Sequence, residues 1–401
     1  MNKIKTRFSI IFLIFTGINV ISCSGDNNPT TPDPVESSYT YQVPVEDSDG
    51  WNTSSLSDEG MRVEPIINMM NYLSEKSQHY FNSILIVRNG NLVFEEYFTG
   101  RDAELRDYTV EFIGPIEFNK NITQCMASAT KSVNSILFGI AVDKGYIQSL
   151  DQKMIEFFPE YEHLSSVNKN SITLQHMLTM TAGMHISEEH SFTDPRNELI
   201  QFWKSADPIQ FIFEKPELSA PGDNFEYDSG TSCLLGEIVR RSTGVSLMDF
   251  GNEYLFTPLG ITTAEWVGFE SDPDMAFASS GLYLRPRDMT KIGQLYLQDG
   301  IWNDQQIVSS AWIQESTSEF ITFEEDYLSS GGYGYQWWME SYSNGTINGF
   351  SARGHGLQFI VVLPDVNMVI VLTGGFWEES PFYAPVHYYN LIENYILQAI
   401  Q

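Results

Sequence analysis

The sequence has little positive charge. It holds 22 Lys and Arg residues against 52 Asp and Glu residues, which gives a formal net charge of −30 at pH 7. Such a surface repels nucleic-acid phosphates and anionic lipids, so we predict no nucleic-acid partner. Hydrophobic residues make up 42% and charged residues 18%, a composition typical of a globular protein and not of a disordered one.

Cysteine is also scarce. The chain has three cysteines, Cys23, Cys125 and Cys233. That number excludes a disulfide framework, even in an oxidising compartment. Because Cys125 and Cys233 stand at the start of apolar helical segments, we expect buried free thiols. A single bridge between them is the alternative.

Several common site motifs are missing. The sequence shows no internal repeat, no G-x-x-x-x-G-K phosphate-binding loop and no H-E-x-x-H frame. The segment "MHISEEHSF" contains His185, Glu188, Glu189 and His190, a composition that resembles a metal site. Its spacing favours a solvated loop near the mouth of a cleft. We therefore predict no metal and no cofactor.

The N-terminus reads as a targeting segment. Basic residues precede "FSIIFLIFTGINVIS", an apolar run shorter than a typical membrane-spanning helix, so residues 1–22 are predicted to be a secretory signal. The following "VISC" resembles the bacterial lipobox, in which Cys23 becomes the lipidated first residue. An ordinary signal peptide with an incidental Cys23 is the alternative. The expectation is a lipoprotein of the cell envelope, on the periplasmic or cell-surface face, held to the membrane only by its lipid, with residues 23–50 as a flexible tether.

The order of predicted elements indicates the fold class. "SILIVRNGNLVFEEYF" predicts two strands around Asn89-Gly90, and "GFSARGHGLQFIVVLP" and "NMVIVLTGG" predict strands near the C-terminus. Between them, residues of about 150–270 have helical character. We therefore predict an α/β (α+β) domain over residues 51–401. Its antiparallel sheet is built from both chain ends and flanked by helices, and the helical subdomain is inserted between the halves.

Two Ser-x-x-Lys patterns occur, and their surroundings differ. Ser166 and Lys169 lie in polar "SSVNKNS", which predicts a solvated turn. Ser128 and Lys131 precede apolar residues at the i, i+3, i+4, i+7 spacing of a helix with one buried face. A desolvated lysine has a lowered pKa and can act as a base, so Ser128 is a candidate nucleophile that forms an acyl-enzyme. The alternative is an exposed first turn with Ser128 as its cap.

A third candidate group is Tyr227, in "PGDNFEYDSGTS". Tyr-x-Ser and Tyr-x-Asn triplets recur elsewhere in the chain, so the triplet alone discriminates nothing. Tyr227 is distinguished by its position after a Pro/Gly turn that leads back toward the sheet. A phenol beside Lys131 is able to pass a proton between Ser128 and a leaving group; the alternative is a half-buried aromatic side chain at a turn.

Six stretches together resemble one family. They are "SATKSVNSILFGIAVDKGYIQSLDQKM", "ITLQHMLTMTAGM", "PGDNFEYDSGTSCLLGEIV", "LFTPLGITTAEW", "SSGLYLRPRDMTKIGQLYLQDGIWNDQQIVSSAWI" and "GFSARGHGLQFIVVLPDVNMVIVLTGG". With the first hairpin they span most of residues 80–375. The chain resembles serine hydrolases of the β-lactamase and penicillin-binding-protein superfamily, and most of all the class C β-lactamase-related esterases and 6-aminohexanoate-oligomer hydrolases.

The resemblance implies roles for the first two motifs. Ser128 is the implied nucleophile, Lys131 its base partner and Tyr227 a proton relay. Ser229 fills the third place of the tyrosine motif, where β-lactamases more often have asparagine, and is implied to bind substrate.

The third motif departs from the β-lactamase pattern. No Lys-Thr-Gly occurs in the chain, and the matching segment is Arg353-Gly354-His355-Gly356. The glycines are able to bring backbone N–H groups close to an oxyanion. The resemblance implies that His355 and Gly356 bind substrate, and whether Arg353 or His355 contacts a substrate carboxylate stays open.

The predicted function is therefore a lipid-anchored serine hydrolase that cleaves an ester or amide bond of a small molecule through an acyl-serine intermediate. A D-amino-acid peptidase or β-lactamase, acting on a peptide or β-lactam, is the first alternative. A non-catalytic binding lipoprotein on the same fold is the second. The sequence makes no prediction of oligomeric state.

Overall fold

The computed structural model describes residues 39–76, 78–106, 108–188, 190–192, 194–323, 331–343, 345–377 and 384–401. The predicted signal segment, Cys23 and the first part of the tether lie outside these ranges. Within them, every helix is too short or too polar to cross a membrane.

The described ranges contain fifteen β-strands. They are β1 Phe81–Arg88, β2 Asn91–Tyr97, β3 Thr99–Arg106, β4 Thr109–Glu117, β5 Gln124–Cys125, β6 Glu265–Trp266, β7 Leu282–Leu284, β8 Ile301–Trp302, β9 Gln305–Gln306, β10 Ile321–Thr322, β11 Gly332–Tyr333, β12 Trp338–Tyr342, β13 Ile347–Gly354, β14 Gln358–Leu363 and β15 Met368–Gly374.

The same ranges contain ten α-helices. They are α1 Val63–Ser74, α2 Thr130–Asp143, α3 Leu174–Leu178, α4 Glu198–Trp203, α5 Pro208–Phe213, α6 Ser229–Thr243, α7 Leu247–Gly251, α8 Pro286–Leu297, α9 Ser310–Ser316 and α10 Ala384–Leu391.

The main sheet joins the two ends of the chain. Its strand order is β10-β11-β12-β13-β14-β15-β1-β2, and all neighbouring strands are antiparallel. The hairpin predicted at Asn89-Gly90 is β1–β2, which pairs through β1 with the C-terminal strand β15. The predicted fold class, an antiparallel sheet from both chain ends flanked by helices, is therefore confirmed.

Both faces of the sheet are covered. Side chains alternate along a strand, so Val369 and Val371 face α2 and α8 while Met368 and Ile370 face α1 and the C-terminal helices. Strands buried on both faces need continuous apolar runs, which explains why "MVIVLTG" has no polar alternation. The α2 face carries the candidate nucleophile.

Helix α2 is more deeply buried than its sequence pattern predicts. The spacing predicts one buried face, but every residue from Thr130 to Ala141 is buried. Its polar side chains find partners: Ser132 Oγ donates to the Gln336 carbonyl at 2.6 Å, and Asn134 Nδ2 donates to the Ser232 carbonyl at 2.9 Å. The one-face prediction is wrong because these hydrogen bonds satisfy the polar side.

The two described cysteines are buried free thiols, as predicted. Cys233 lies in α6, but Cys125 lies in strand β5 and not at the start of a helix. The hairpin β3–β4 is an element that the sequence pattern did not predict. It places Phe112 stacked on Trp377, with ring centroids 6.3 Å apart, and Tyr108 against Trp203.

Candidate active site

Ser128 lies in a tight turn between a strand and a buried helix. Strand β5 pairs with β7, the Met126 N–H donates to the Leu282 carbonyl at 2.9 Å, and a 3₁₀ turn over Ala127–Ala129 leads into α2. Ala127 has a φ of 44°, a left-handed conformation that disfavours residues with a Cβ atom. The turn leaves Ser128 half-buried, while its neighbours Ala127 and Ala129 are buried.

Lys131 directs its amine at this serine. Lys131 is 1% exposed, and its Nζ lies 3.1 Å from Ser128 Oγ, 3.0 Å from Ser229 Oγ and 3.1 Å from the Ser279 carbonyl oxygen. The expected desolvation of this lysine is therefore present. A buried amine within hydrogen-bond distance of a serine hydroxyl is the arrangement that serine activation requires.

Tyr227 covers the amine from another side. Lys131 Nζ lies 4.7 Å from the centroid of the Tyr227 ring. The ring stacks on Trp338 at a centroid distance of 5.7 Å and meets Tyr333 edge-on. Asp228, the next residue, caps α6 by accepting hydrogen bonds from Gly230 N and Thr231 N. The cap fixes the start of α6, and so holds Tyr227 and Ser229 on either side of Lys131.

Glu188 completes this cluster, and the sequence interpretation missed it. Ser229 is fully buried and donates from Oγ to Glu188 Oε1 at 2.5 Å. Glu188 was assigned to a solvated loop, and that assignment is wrong for its carboxylate. The contact joins residues 41 positions apart, which no local pattern signals. Within the described residues, no group of three His, Cys, Asp or Glu side chains is arranged to hold a metal ion.

The second Ser-x-x-Lys pair has a different geometry. Lys169 is 6% exposed and donates from Nζ to the Phe213 carbonyl at 2.5 Å. Ser166 Oγ donates to Glu217, and also accepts a hydrogen bond from Lys169 N at 3.1 Å. The predicted solvated turn holds for Val167 and Asn170, which are exposed, but not for Lys169, whose buried amine donates to a carbonyl at the end of distant α5.

Gly354 and Gly356 lie at the end of β13, beside the Ser128 turn. A Cβ atom on Gly354 would lie 2.2 Å from the Met126 carbonyl oxygen and 3.1 Å from Ala129 N. Only glycine allows this strand to approach the turn so closely. Gly356 has a φ of 83°, and a Cβ there would lie 2.7 Å from the Trp377 ring. Of the two glycines that the sequence analysis singled out for their backbone N–H groups, Gly354 is the one that lies against the Ser128 turn.

Arg353 and His355 do not present a free cation to the site. Arg353 pairs with Glu340 at 2.7 Å, donates to Ser351 Oγ at 2.9 Å and packs against Trp338 and Tyr388. His355 Nε2 lies 2.9 Å from the Trp377 carbonyl oxygen, so this nitrogen carries the proton. Burial lowers the pKa of His355 below its usual value, although the Trp377 hydrogen bond and the nearby Glu188 charge oppose the shift.

An apolar wall lies next to Ser128. Ala127, Trp377 and Cys125 are buried together, with Phe112 and Val110 of β4 packed against them. His355 lies between Phe192 and Trp377, at centroid distances of 5.5 and 5.7 Å. We use the name aromatic wall for the side chains of Trp377, Phe112 and Phe192 together with the adjacent Ala127. Such a surface favours contact with apolar groups of a ligand.

Comparison with known proteins supports the family suggested by the sequence. The family model described as Beta-lactamase matches residues 82–374. Among similar solved structures is an octameric penicillin-binding protein homologue from Pyrococcus abyssi, with a TM-score of 0.64 and 17% identity, covering 82% of this chain and 77% of that one. At this identity the likeness concerns the fold alone.

Curated relatives have activities on the same fold. A 6-aminohexanoate-dimer hydrolase from Paenarthrobacter ureafaciens is 23% identical over 320 residues, 74% of each chain. A monacolin J acid methylbutanoyltransferase from Aspergillus terreus is 25% identical over 242 residues, 55% of this chain and 56% of that one. Their names describe one hydrolase and one acyltransferase.

Proposed function

Because this chain belongs to the beta-lactamase family, we propose that it is a serine hydrolase that cleaves ester or amide bonds through an acyl-Ser128 intermediate. The observation that carries the proposal is the contact of Lys131 Nζ with Ser128 Oγ at 3.1 Å, which joins a buried amine to a half-buried hydroxyl. The alternative of a non-catalytic protein is disfavoured because the nucleophile, the amine and Tyr227 are not only present but adjacent.

The proposed reaction has two halves. In the first, Ser128 Oγ attacks the substrate carbonyl carbon while its proton passes to the amine of Lys131. The tetrahedral oxyanion collapses, and the alcohol or amine leaves with a proton delivered from Lys131 through Tyr227. In the second half, water attacks the acyl carbon and gives up a proton to the same groups, which releases the acid and restores Ser128.

Backbone amides are the candidates for stabilising the oxyanion. The start of α2 points N–H groups and the positive end of its dipole toward Ser128, and Gly354 brings β13 against the same turn. Donors that are fixed in place before reaction stabilise developing charge without reorganising.

The contacts of Arg353 and His355 favour substrates without a carboxylate beside the scissile bond. Arg353 is paired with Glu340, and His355 donates to a carbonyl, so neither supplies the cation that holds a β-lactam carboxylate. A missing charge-assisted hydrogen bond costs about 1.5–3 kcal/mol, or roughly one to two orders of magnitude in rate. The aromatic wall supports an apolar acyl group in place of the charged one.

The proposal is tested by comparing specificity constants on one preparation. Three substrates distinguish esterase, amidase and β-lactamase activity: a short-chain p-nitrophenyl ester, a matched p-nitroanilide and a chromogenic cephalosporin. We expect the ester to be hydrolysed at least tenfold more efficiently than the cephalosporin. A preference for the cephalosporin would replace the esterase proposal with the β-lactamase alternative, and hydrolysis of none of them would favour a binding protein.

The anchor remains a proposal of its own, based on the "VISC" sequence. Cys23→Ser should move the protein from the membrane fraction to the soluble fraction. A variant that stays in the membrane fraction, or a wild-type protein without an acyl chain at Cys23, would contradict it.

A further inference from the structure

We propose that Glu188 is a positioning residue that acts through Ser229: it sets the direction of the hydrogen bonds around Lys131, so that the lone pair of the amine that accepts the proton faces Ser128. The proposal rests on the proposed function, in which Lys131 takes the proton of Ser128. The sequence analysis placed Glu188 in a solvated loop, and the proposal gives its carboxylate a role in the site.

The hydrogen of Ser229 is committed to Glu188. Ser229 Oγ lies 2.5 Å from Glu188 Oε1, and a carboxylate has no hydrogen to give. The hydroxyl therefore donates to the carboxylate. Because a serine hydroxyl has a single hydrogen, Ser229 is then only an acceptor toward Lys131, whose Nζ lies at 3.0 Å.

The remaining partners of Lys131 decide where its lone pair points. A neutral amine has two N–H bonds and one lone pair. The Ser279 carbonyl at 3.1 Å accepts only, and Ser229 accepts only, so these two oxygens take both N–H bonds. Ser128 Oγ, at 3.1 Å, is then the neighbour with a hydrogen to give, and the lone pair is directed at it.

Without Glu188, the direction is no longer fixed. The Ser229 hydroxyl would be free to rotate and donate its hydrogen to the Lys131 lone pair. That bond would compete with the one from Ser128 and occupy the base in an unproductive arrangement. Glu188 thus acts by preventing the Ser229 hydroxyl from competing with Ser128 for the lone pair. This effect does not require Glu188 to contact the substrate.

The loop that carries Glu188 is tied to the site by its backbone. Ile186 N donates to Asp228 Oδ1 at 2.9 Å, and Asp228 is the residue between Tyr227 and Ser229. Ser187 N donates to Glu198 Oε2 at 2.9 Å. Both residues before Glu188 are therefore anchored, one of them to the cap of the helix that begins at Ser229.

The test is a double-mutant cycle of Glu188→Ala and Ser229→Ala, measured as kcat for a p-nitrophenyl ester and as the rate at which a fluorophosphonate labels Ser128. We expect Glu188→Ala to lower both rates about tenfold with little change in KM, because a competing hydrogen bond of ordinary strength occupies the lone pair most of the time. In the Ser229→Ala background the hydroxyl is gone, so removing Glu188 should change the rates less than about twofold. Glu188→Gln keeps an acceptor and should retain more activity than Glu188→Ala.

The control is Glu214→Ala, which removes an exposed glutamate at the end of α5 and should leave both rates unchanged. Losses that multiply in the double variant would overturn the inference, as would a Glu188→Ala effect confined to KM. Those results would leave the proposed function intact if wild-type Ser128 is labelled. Failure to label Ser128 in the wild-type protein would instead reject the proposed function itself.

Discussion

Lys131 Nζ lies 3.1 Å from Ser128 Oγ, while the chain's other Ser-x-x-Lys lysine donates from Nζ to a backbone carbonyl. The two motifs have the same spacing and both lysines are buried. Their partners differ: Lys131 reaches two serine hydroxyls and one carbonyl, and Lys169 reaches the carbonyl of Phe213. The pair therefore offers an internal comparison between a lysine placed for proton transfer and a lysine that stabilises a loop.

Replacing each lysine by methionine should separate these roles. Lys131→Met keeps much of the side-chain volume but removes the base, so ester hydrolysis should fall by about 10²–10⁴-fold. Lys169→Met should lower the free energy of unfolding by about 1–3 kcal/mol, because the Phe213 carbonyl loses its partner, and should leave kcat within about twofold. Kinetics and denaturant unfolding on both variants check this. Equal losses of activity in Lys131→Met and Lys169→Met would contradict the assignment of Ser128 and Lys131 as the catalytic motif.

Gly354→Ala should impair catalysis more than stability alone explains. The new Cβ would clash with the Met126 carbonyl and crowd Ala129 N, so β13 must move away from the Ser128 turn. We expect kcat to fall at least about tenfold, since a small displacement of catalytic groups is costly.

Gly349→Ala is the matched control for this change. It lies on the same strand, where a Cβ would meet Leu363 Cδ2 at 2.5 Å and the Val362 carbonyl at 2.7 Å. It should lower the melting temperature without lowering kcat. If Gly349→Ala reduced kcat as much as Gly354→Ala, the effect would come from general strain in the sheet.

Asp102, on β3, should make stability depend on pH. It is 5% exposed, accepts hydrogen bonds from Ala103 N and Cys125 N, and burial raises its pKa to about 7. Between about pH 4 and pH 7 the folded state holds this proton and the unfolded state does not, so the contribution of Asp102 to the free energy of unfolding falls as pH rises. The loss reaches up to about 4 kcal/mol above pH 7.

Asp102→Asn removes this titration. Its free energy of unfolding should therefore decline less than that of the wild type between pH 4 and pH 7. Asp151→Asn, at an exposed position, should keep the wild-type slope. Denaturant unfolding at several pH values measures both, and identical slopes for wild type and Asp102→Asn would contradict the prediction.

Local sequence patterns predicted the parts of the fold that have clear periodicity. The β1–β2 hairpin is marked by Asn89-Gly90 between apolar runs, and β15 by an unbroken apolar run. The β3–β4 hairpin has no such sequence signal, because every residue of β4 is exposed or half-buried and apolar and polar residues do not alternate along it. Its stability comes from contacts such as Phe112 with Trp377, which are distant in sequence.

The candidate site shows the same division. Motif spacing and the resemblance led to Ser128, Lys131, Tyr227 and Ser229, and the structure brings all four together. The sequence analysis did not identify Glu188 as a site residue, because its only signal is a contact across 41 positions, in a loop whose composition resembles a solvated segment. The pairing of Arg353 with Glu340 was equally hidden, since the direction of a side chain from a strand depends on register.

The most direct test of the central claim is to trap the acyl-enzyme. Wild-type protein mixed with a p-nitrophenyl ester, quenched with acid at early times and examined by intact and peptide mass spectrometry, should carry one acyl group on the peptide that contains Ser128. The Ser128→Ala variant should carry none, and Ser166→Ala should be acylated like the wild type. An acyl group on any other residue, or turnover of the ester with no covalent intermediate under conditions where deacylation is slowed, would contradict the account.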